Sequence, residues 1–249
     1  MALDPDGELA ELANYVIVDD SAINGLAGPH IIFRGVNIHV QNGSAQTDVT
    51  NGLGNLIVGY NECGVLWDGP LLCDSSKRDG SHNMIIGPEH HYTSFGGLVA
   101  GLLNSILVPH ATVSGGRENI VGIRDVGEVM PSIIEGFAAS VSGGYQNEAS
   151  HKYASVTGGM NNMALGAASS VSGGLHNMAH TNGSFNSVSG GAYNVAILKA
   201  ASVCGGYANT AYNDYSTVSG GRENRTDHEY STVSGGSGLS TTFKDEHIP

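Results

Sequence analysis

A five-residue phrase, Ser/Thr-Val-Ser-Gly-Gly with small variations, recurs eight times from Thr112 onward. Its valines are Val113, Val141, Val156, Val171, Val188, Val203, Val218 and Val233, so the steps are 28, 15, 15, 17, 15, 15 and 15 residues. A fifteen-residue period is too short for a helix-turn-helix unit. It suits one coil of a β-solenoid, with two short strands and two tight turns.

Each position of the phrase has a physical reading. Valine flanked by hydroxyl residues is a strand of period two. The glycine pairs that follow supply turns with positive φ: Gly115 and Gly116, Gly143 and Gly144, Gly158 and Gly159, Gly173 and Gly174, Gly190 and Gly191, Gly205 and Gly206, Gly220 and Gly221, Gly235 and Gly236. Three residues after the second glycine comes asparagine, at Asn119, Asn147, Asn162, Asn177, Asn194, Asn209 and Asn224, with Asn104 one period earlier. This column marks a second bend, where asparagine tolerates the left-handed region or bonds to its equivalent on the next coil. Two residues further on, alanine recurs at Ala149, Ala164, Ala179, Ala196 and Ala211. The 28-residue step reads as one coil carrying a thirteen-residue loop, and the 17-residue step as a two-residue bulge near Thr181 to Ser184.

Upstream the period loosens. LVAG before Asn104 looks like a more apolar coil of the same stack, and HIIFRG, VNIHVQNG, GNLIVGYNE and HNMIIGPEH read as wider coils that cap it. Leu9, Leu12 and Val16 at helical spacing predict a short N-terminal helix of coiled-coil character. The expected organisation is therefore a coiled-coil-like segment at 1–20, then irregular apolar coils and a cap at 21–97 with an excursion loop at 62–82. The regular solenoid follows at 98–249, with an inserted loop at 120–138.

Composition supports an all-β chain over other classes. Glycine contributes 37 residues, Phe and Trp together six, and charged residues only 13%. A helical bundle would need far more Leu, Ala, Glu and Lys. The net charge of −13 repels phosphate backbones and anionic lipid, so neither nucleic acid nor membrane insertion is expected. No apolar run approaches the length of a membrane span, and the first residues lack the pattern of a secretion signal. Cys63 and Cys73 are either a small disulfide ring, which requires an oxidising compartment, or two free thiols.

Alternation alone leaves the strand register open, because a one-residue choice exchanges the two faces. A coil this short favours small Ser and Ala side chains inside and valine outside. Eight outward valines would form an apolar stripe that a lone monomer should not carry, so the Val column is the expected seam of a parallel homotrimer. In that register Cys204, which stands in a serine column, is expected to be buried.

The repeated SVSGG-x-x-N-x-A resembles the head repeats of trimeric autotransporter adhesins and the similar repeats of phage tail fibres. The resemblance covers roughly residues 30 to 240. It implies a β-roll, left-handed in the adhesin heads, a trimer, and a place outside the cell or on a virion. Two departures stand out: the adhesin period is nearer fourteen, and no membrane-anchor barrel follows Pro249. The chain is thus expected to be a passenger or fibre segment.

Candidate catalytic or metal chemistry is weak. Glu89, His90 and His91, and the pair His176 and His180, invite thoughts of zinc, but no CxxC or HExxH accompanies them. The glycine phrase lacks the aspartate of calcium-binding repeats, GGLVAG lacks the lysine of a phosphate loop, and no GxSxG elbow occurs. Asp19 and Asp20 read as solvated loop charges. No catalytic residue, cofactor or metal is therefore expected. The leading function is a structural, adhesive fibre segment attaching to a surface receptor or glycan. The alternatives are a solenoid glycan-active enzyme, which would show converging carboxylates, and an ice- or crystal-surface binder, which needs inward valine and regular outward threonine.

Overall fold

The computed structural model describes residues 11–63, 77–122 and 137–249. It divides into two units, Met1–His39 and Val40–Pro249. In the first, β1 (Val16–Asp19) pairs antiparallel with β2 (His30–Phe33), Val16 opposite Phe33 and Asp19 opposite His30. The expected N-terminal helix does not reach Val16, which is in a strand; of that segment's described residues only Glu11 and Leu12 are helical. The β-branched run Val16-Ile17-Val18 outweighs a helical spacing of three apolar residues. Leu9 lies outside the described residues.

The second unit is a parallel β-solenoid. Twelve strands, one per coil, form one sheet from β3 (Leu56–Val58) to His247–Ile248, and nine form the opposite sheet from His91–Tyr92 to Arg225–Thr226. Register is kept throughout: Val141 pairs with Val113 and Val156, and Ala164 with Ala149 and Ala179. Single bridges join a third column, Arg117, Tyr145, Met160, Leu175, Ala192, Tyr207 and Arg222, in the same parallel sense. At a strand spacing of about 4.8 Å, twelve coils stack to roughly 50 Å.

The valine register is the reverse of the expected one. From Val113 to Val233 every valine of the column is 0–1% exposed within a single chain, while the residues on either side, Ser or Thr except for Cys204, point outward. The Val column is therefore core, and the trimer seam assigned to it is withdrawn. The coil is narrow, but it is filled by one medium and one small side chain. Valine from one sheet meets alanine from the other, as Val171 and Ala179 do within one continuous cluster. Small-in on both sides would leave voids; Val-in on one side closes them.

Turn chemistry holds the coils at this spacing. The second glycine of each pair has positive φ, +93° at Gly174 and +87° at Gly221, and from Gly116 to Gly221 a Cβ there would strike the carbonyl of the equivalent glycine on the next coil. The first glycine is less constrained: Gly220 and Gly235 have open space around them. The asparagine itself does not take the left-handed corner. The residue before it does, from Glu118 to Glu223, and so does a second column from His110 to Tyr230. Because the asparagine keeps ordinary backbone angles, its amide turns inward.

Candidate functional site

The asparagine column forms one hydrogen-bonded ladder. Asn104 and the seven that follow are 0–1% exposed. The backbone N–H of Asn162 donates to Asn147 Oδ1, and that of Asn177 to Asn162 Oδ1, each at 3.0 Å. The Asn162 Nδ2 donates to Gly158 O of its own turn and Gly174 O of the next coil, both at 2.9 Å. Each buried amide is thereby satisfied by its neighbours, as buried polar groups must be. The ladder crosses the 28-residue step, Asn147 N–H to Asn119 Oδ1 at 3.0 Å, and the 17-residue step, Asn194 N–H to Asn177 Oδ1 at 3.0 Å. The extra residues of the long step fall largely at 123–136, outside the described residues.

His90 begins this ladder. It is fully buried, its Nδ1 accepts the Asn104 N–H at 3.2 Å, and its Nε2 lies 3.0 Å from Ile86 O. That pair of contacts defines a neutral imidazole with the proton on Nε2. Burial holds its pKa below the ordinary histidine value, against the opposing pull of the Ile86 contact. The residue singled out for zinc thus stands in for asparagine. No group of three or more His, Cys, Asp or Glu is placed to hold a metal among the described residues. His176 and His180 separate: His176 is exposed at a left-handed corner, while His180 Nδ1 accepts the Asn182 N–H at 3.2 Å.

Cys63 is disulfide-bonded, and Cys73 lies outside the described residues. Cys204 is exposed, a correction that follows directly from the reversed register: the position after an inward valine faces out.

Two outward surfaces carry chemistry. Among the described residues, the strands of the twelve-stranded sheet carry no charged outward side chain from Leu56 to Ser234. Its outward columns are Leu56 and Val58, Met84 and Ile86, Leu98 and Ala100, then serine or threonine with a single cysteine. The other surface follows the corners, where aromatic side chains stand outside. His176 stacks on Tyr193 with centroids 5.1 Å apart and planes 16° apart, and Tyr193 meets Tyr207 edge-on at 5.7 Å. At the opposite corner Tyr215 stacks on Tyr230 at 5.2 Å, with Lys199 and Lys244 over the two rings. A shallow groove of about 440 Å³ lies beside the first group, lined by Gln146, Glu148, Asn161, Met163 and His176.

The corner aromatics escape a reading that looks for motifs, because their identity changes from coil to coil. Folding the sequence on its period would align Tyr145, Tyr207 and their neighbours as one outward column.

No protein-family model matches this chain, and no curated protein is significantly similar to it.

Proposed function

We propose that this chain is a structural and adhesive fibre segment: a stiff rod that associates with parallel copies of itself and displays its side to a surface receptor or glycan. The observation that carries the reading is the charge-free face. A chain of net charge −13 repels its own copies everywhere except where charge is missing, and among the described residues the strands of this face lack it from Leu56 to Ser234. The face is also graded along the axis, apolar from Leu56 to Ala100 and hydroxyl-bearing beyond. Parallel copies place apolar on apolar, whereas antiparallel copies would cover Leu56 and Met84 with serine. A homotrimer of the adhesin or tail-fibre kind, outside a cell or on a virion, is the assembly that the repeat resemblance favours.

Light scattering of the intact chain at micromolar concentration is the test. The expected result is an oligomer that dissociates when Ser170 and Ser187 are both changed to Asp, with little change in melting temperature because both point outward. A stable monomer overturns the reading.

The ice- or crystal-surface alternative gains one of its two requirements, since valine is inward and hydroxyls are outward. The second is lacking, because only Thr112, Thr217 and Thr232 occupy the leading hydroxyl column. Thermal hysteresis of the protein solution distinguishes it.

A further inference from the structure

In-register stacking places the corner residues Gln146, Asn161, His176 and Tyr193 in one column, each a single coil from the next. Beside it runs a second outward column of Glu148, Met163 and Met178. Gln146, Asn161 and His176 of the first column and Glu148 and Met163 of the second line the shallow groove of about 440 Å³ described above. They supply two kinds of surface. Gln146, Asn161 and Glu148 are hydrogen-bonding groups with several donor and acceptor positions. Met163 and Met178 are soft apolar surface, and His176 with Tyr193 presents flat rings.

The polar edge is fixed in place. Gln146 Nε2 donates to Glu118 Oε2 at 2.7 Å, and Arg117 Nε donates to Glu118 Oε1 at 2.8 Å. A preset amide loses less rotamer freedom when a ligand binds. The aromatic side extends the strip beyond the groove through Tyr207, over which Arg222 lies at 5.8 Å from the ring centre.

A sugar ring has the matching pair of surfaces, a CH-rich face and a rim of hydroxyls. Flat rings and thioethers take the first; amides and a carboxylate take the second. The column repeats in register at about 4.8 Å, so it suits an extended oligosaccharide better than one that curls. Glu118, Glu148 and the net charge of −13 disfavour an acidic chain.

We propose that the strip from Gln146 to Tyr207 binds an uncharged, extended β-linked oligosaccharide lengthwise along the rod. The inference rests on the adhesive reading for its purpose and on the groove for its geometry.

The experiment titrates the intact chain, labelled at its methionine methyls, with cellotetraose and with chitotetraose up to ~10 mM, a range suited to weak single-site binding. The Met163 and Met178 methyls and the His176 ring signals are expected to shift with at least one of the two. Tyr193→Asn, which suits a left-handed corner, is expected to weaken binding about tenfold. Tyr215→Asn at the opposite corner is expected to leave it unchanged. Melting temperatures of both variants establish that they fold.

Absence of shifts with both sugars overturns the proposal. So does equal loss in the two variants, or tighter binding of an acidic heparin tetrasaccharide. Light scattering on the same sample separates the two readings: an oligomer that ignores both sugars loses only the glycan site, and a monomer that binds one loses only the fibre.

Discussion

The coils before Thr112 and those after it share a backbone and differ in what they display. Ile85 and Val99 sit in register with Val113 and are as fully buried as any valine of the regular coils. Their outward neighbours are Met84, Ile86 and Leu98, where the regular coils have serine and threonine. Ile57 lies in the same column but is 45% exposed, because β3 is the last strand of its sheet. The inward column and the turns thus specify the coil, and the outward columns are free to follow function. The corner ladder differs too: asparagine serves the regular coils, and His90 serves the coil before Asn104.

Breaking the regular region at a glycine that touches the next coil should have the largest effect. Gly221→Val puts a side chain on the Gly236 carbonyl at a φ of +87°, and we expect loss of more than ~4 kcal/mol or failure to fold. Gly220→Ala, one residue away and surrounded by open space, should change stability by less than about 1 kcal/mol. Urea unfolding of the pair measures the difference, and equal losses would remove the assignment of the second glycine as the contact that sets coil spacing.

Next comes the ladder. Asn177→Asp keeps the shape, yet it removes the donor to Gly173 O and Gly191 O and buries a carboxylate among carbonyls. A loss of about 3 kcal/mol at neutral pH is expected; a near-silent variant would show that the ladder contributes little.

His90 sharpens the comparison between the two regions through pH. Its folded-state pKa is lowered by burial, so the unfolded chain binds the proton first. The stability it contributes is complete above the ordinary imidazole range and declines as pH falls through that range. Below the lowered folded value the decline stops. His90→Asn, which installs the residue used at the same position from Asn104 to Asn224, should flatten that part of the profile in melts from neutral to mildly acid pH. Arg78, which donates to His90 O at 3.1 Å, and Glu89 are charged neighbours that remain.

The smallest effect is expected at Thr226, which occupies the alanine column of the last coil of its sheet. It is fully buried, and its hydroxyl has no hydrogen-bond partner among the described residues. Thr226→Val keeps the volume and removes the unmet hydroxyl, which should stabilise by about 1 kcal/mol in the same urea assay.

Period, strand number per coil and turn positions were legible because each repeats the same residue in the same place. Register was not, for a definable reason: Ser-Val-Ser alternation is compatible with either face, and volume decides only when both sheets are considered together. The alanine column after asparagine, visible in the sequence, is the counterpart that makes room for valine. The corners were legible only in part. Tyr153, Phe185 and Tyr215 have positive φ, a conformation their types rarely adopt, and the stack of neighbouring coils imposes it. A groove assembled from residues one period apart, such as Gln146, Asn161 and His176, has no local signature at all.

The ladder has one more consequence. A rung meets the same partners whichever coil stands beside it, so a whole fifteen-residue unit added to or removed from the rod leaves every amide of the ladder bonded. The unbroken Asn119–Asn147 contact, across nearly two periods of sequence, shows this indifference at work. Rod length is therefore a quantised trait: duplication or slippage in units of one coil lengthens or shortens the molecule without redesigning its interior, and a change by any fraction of a coil has no such neutral path.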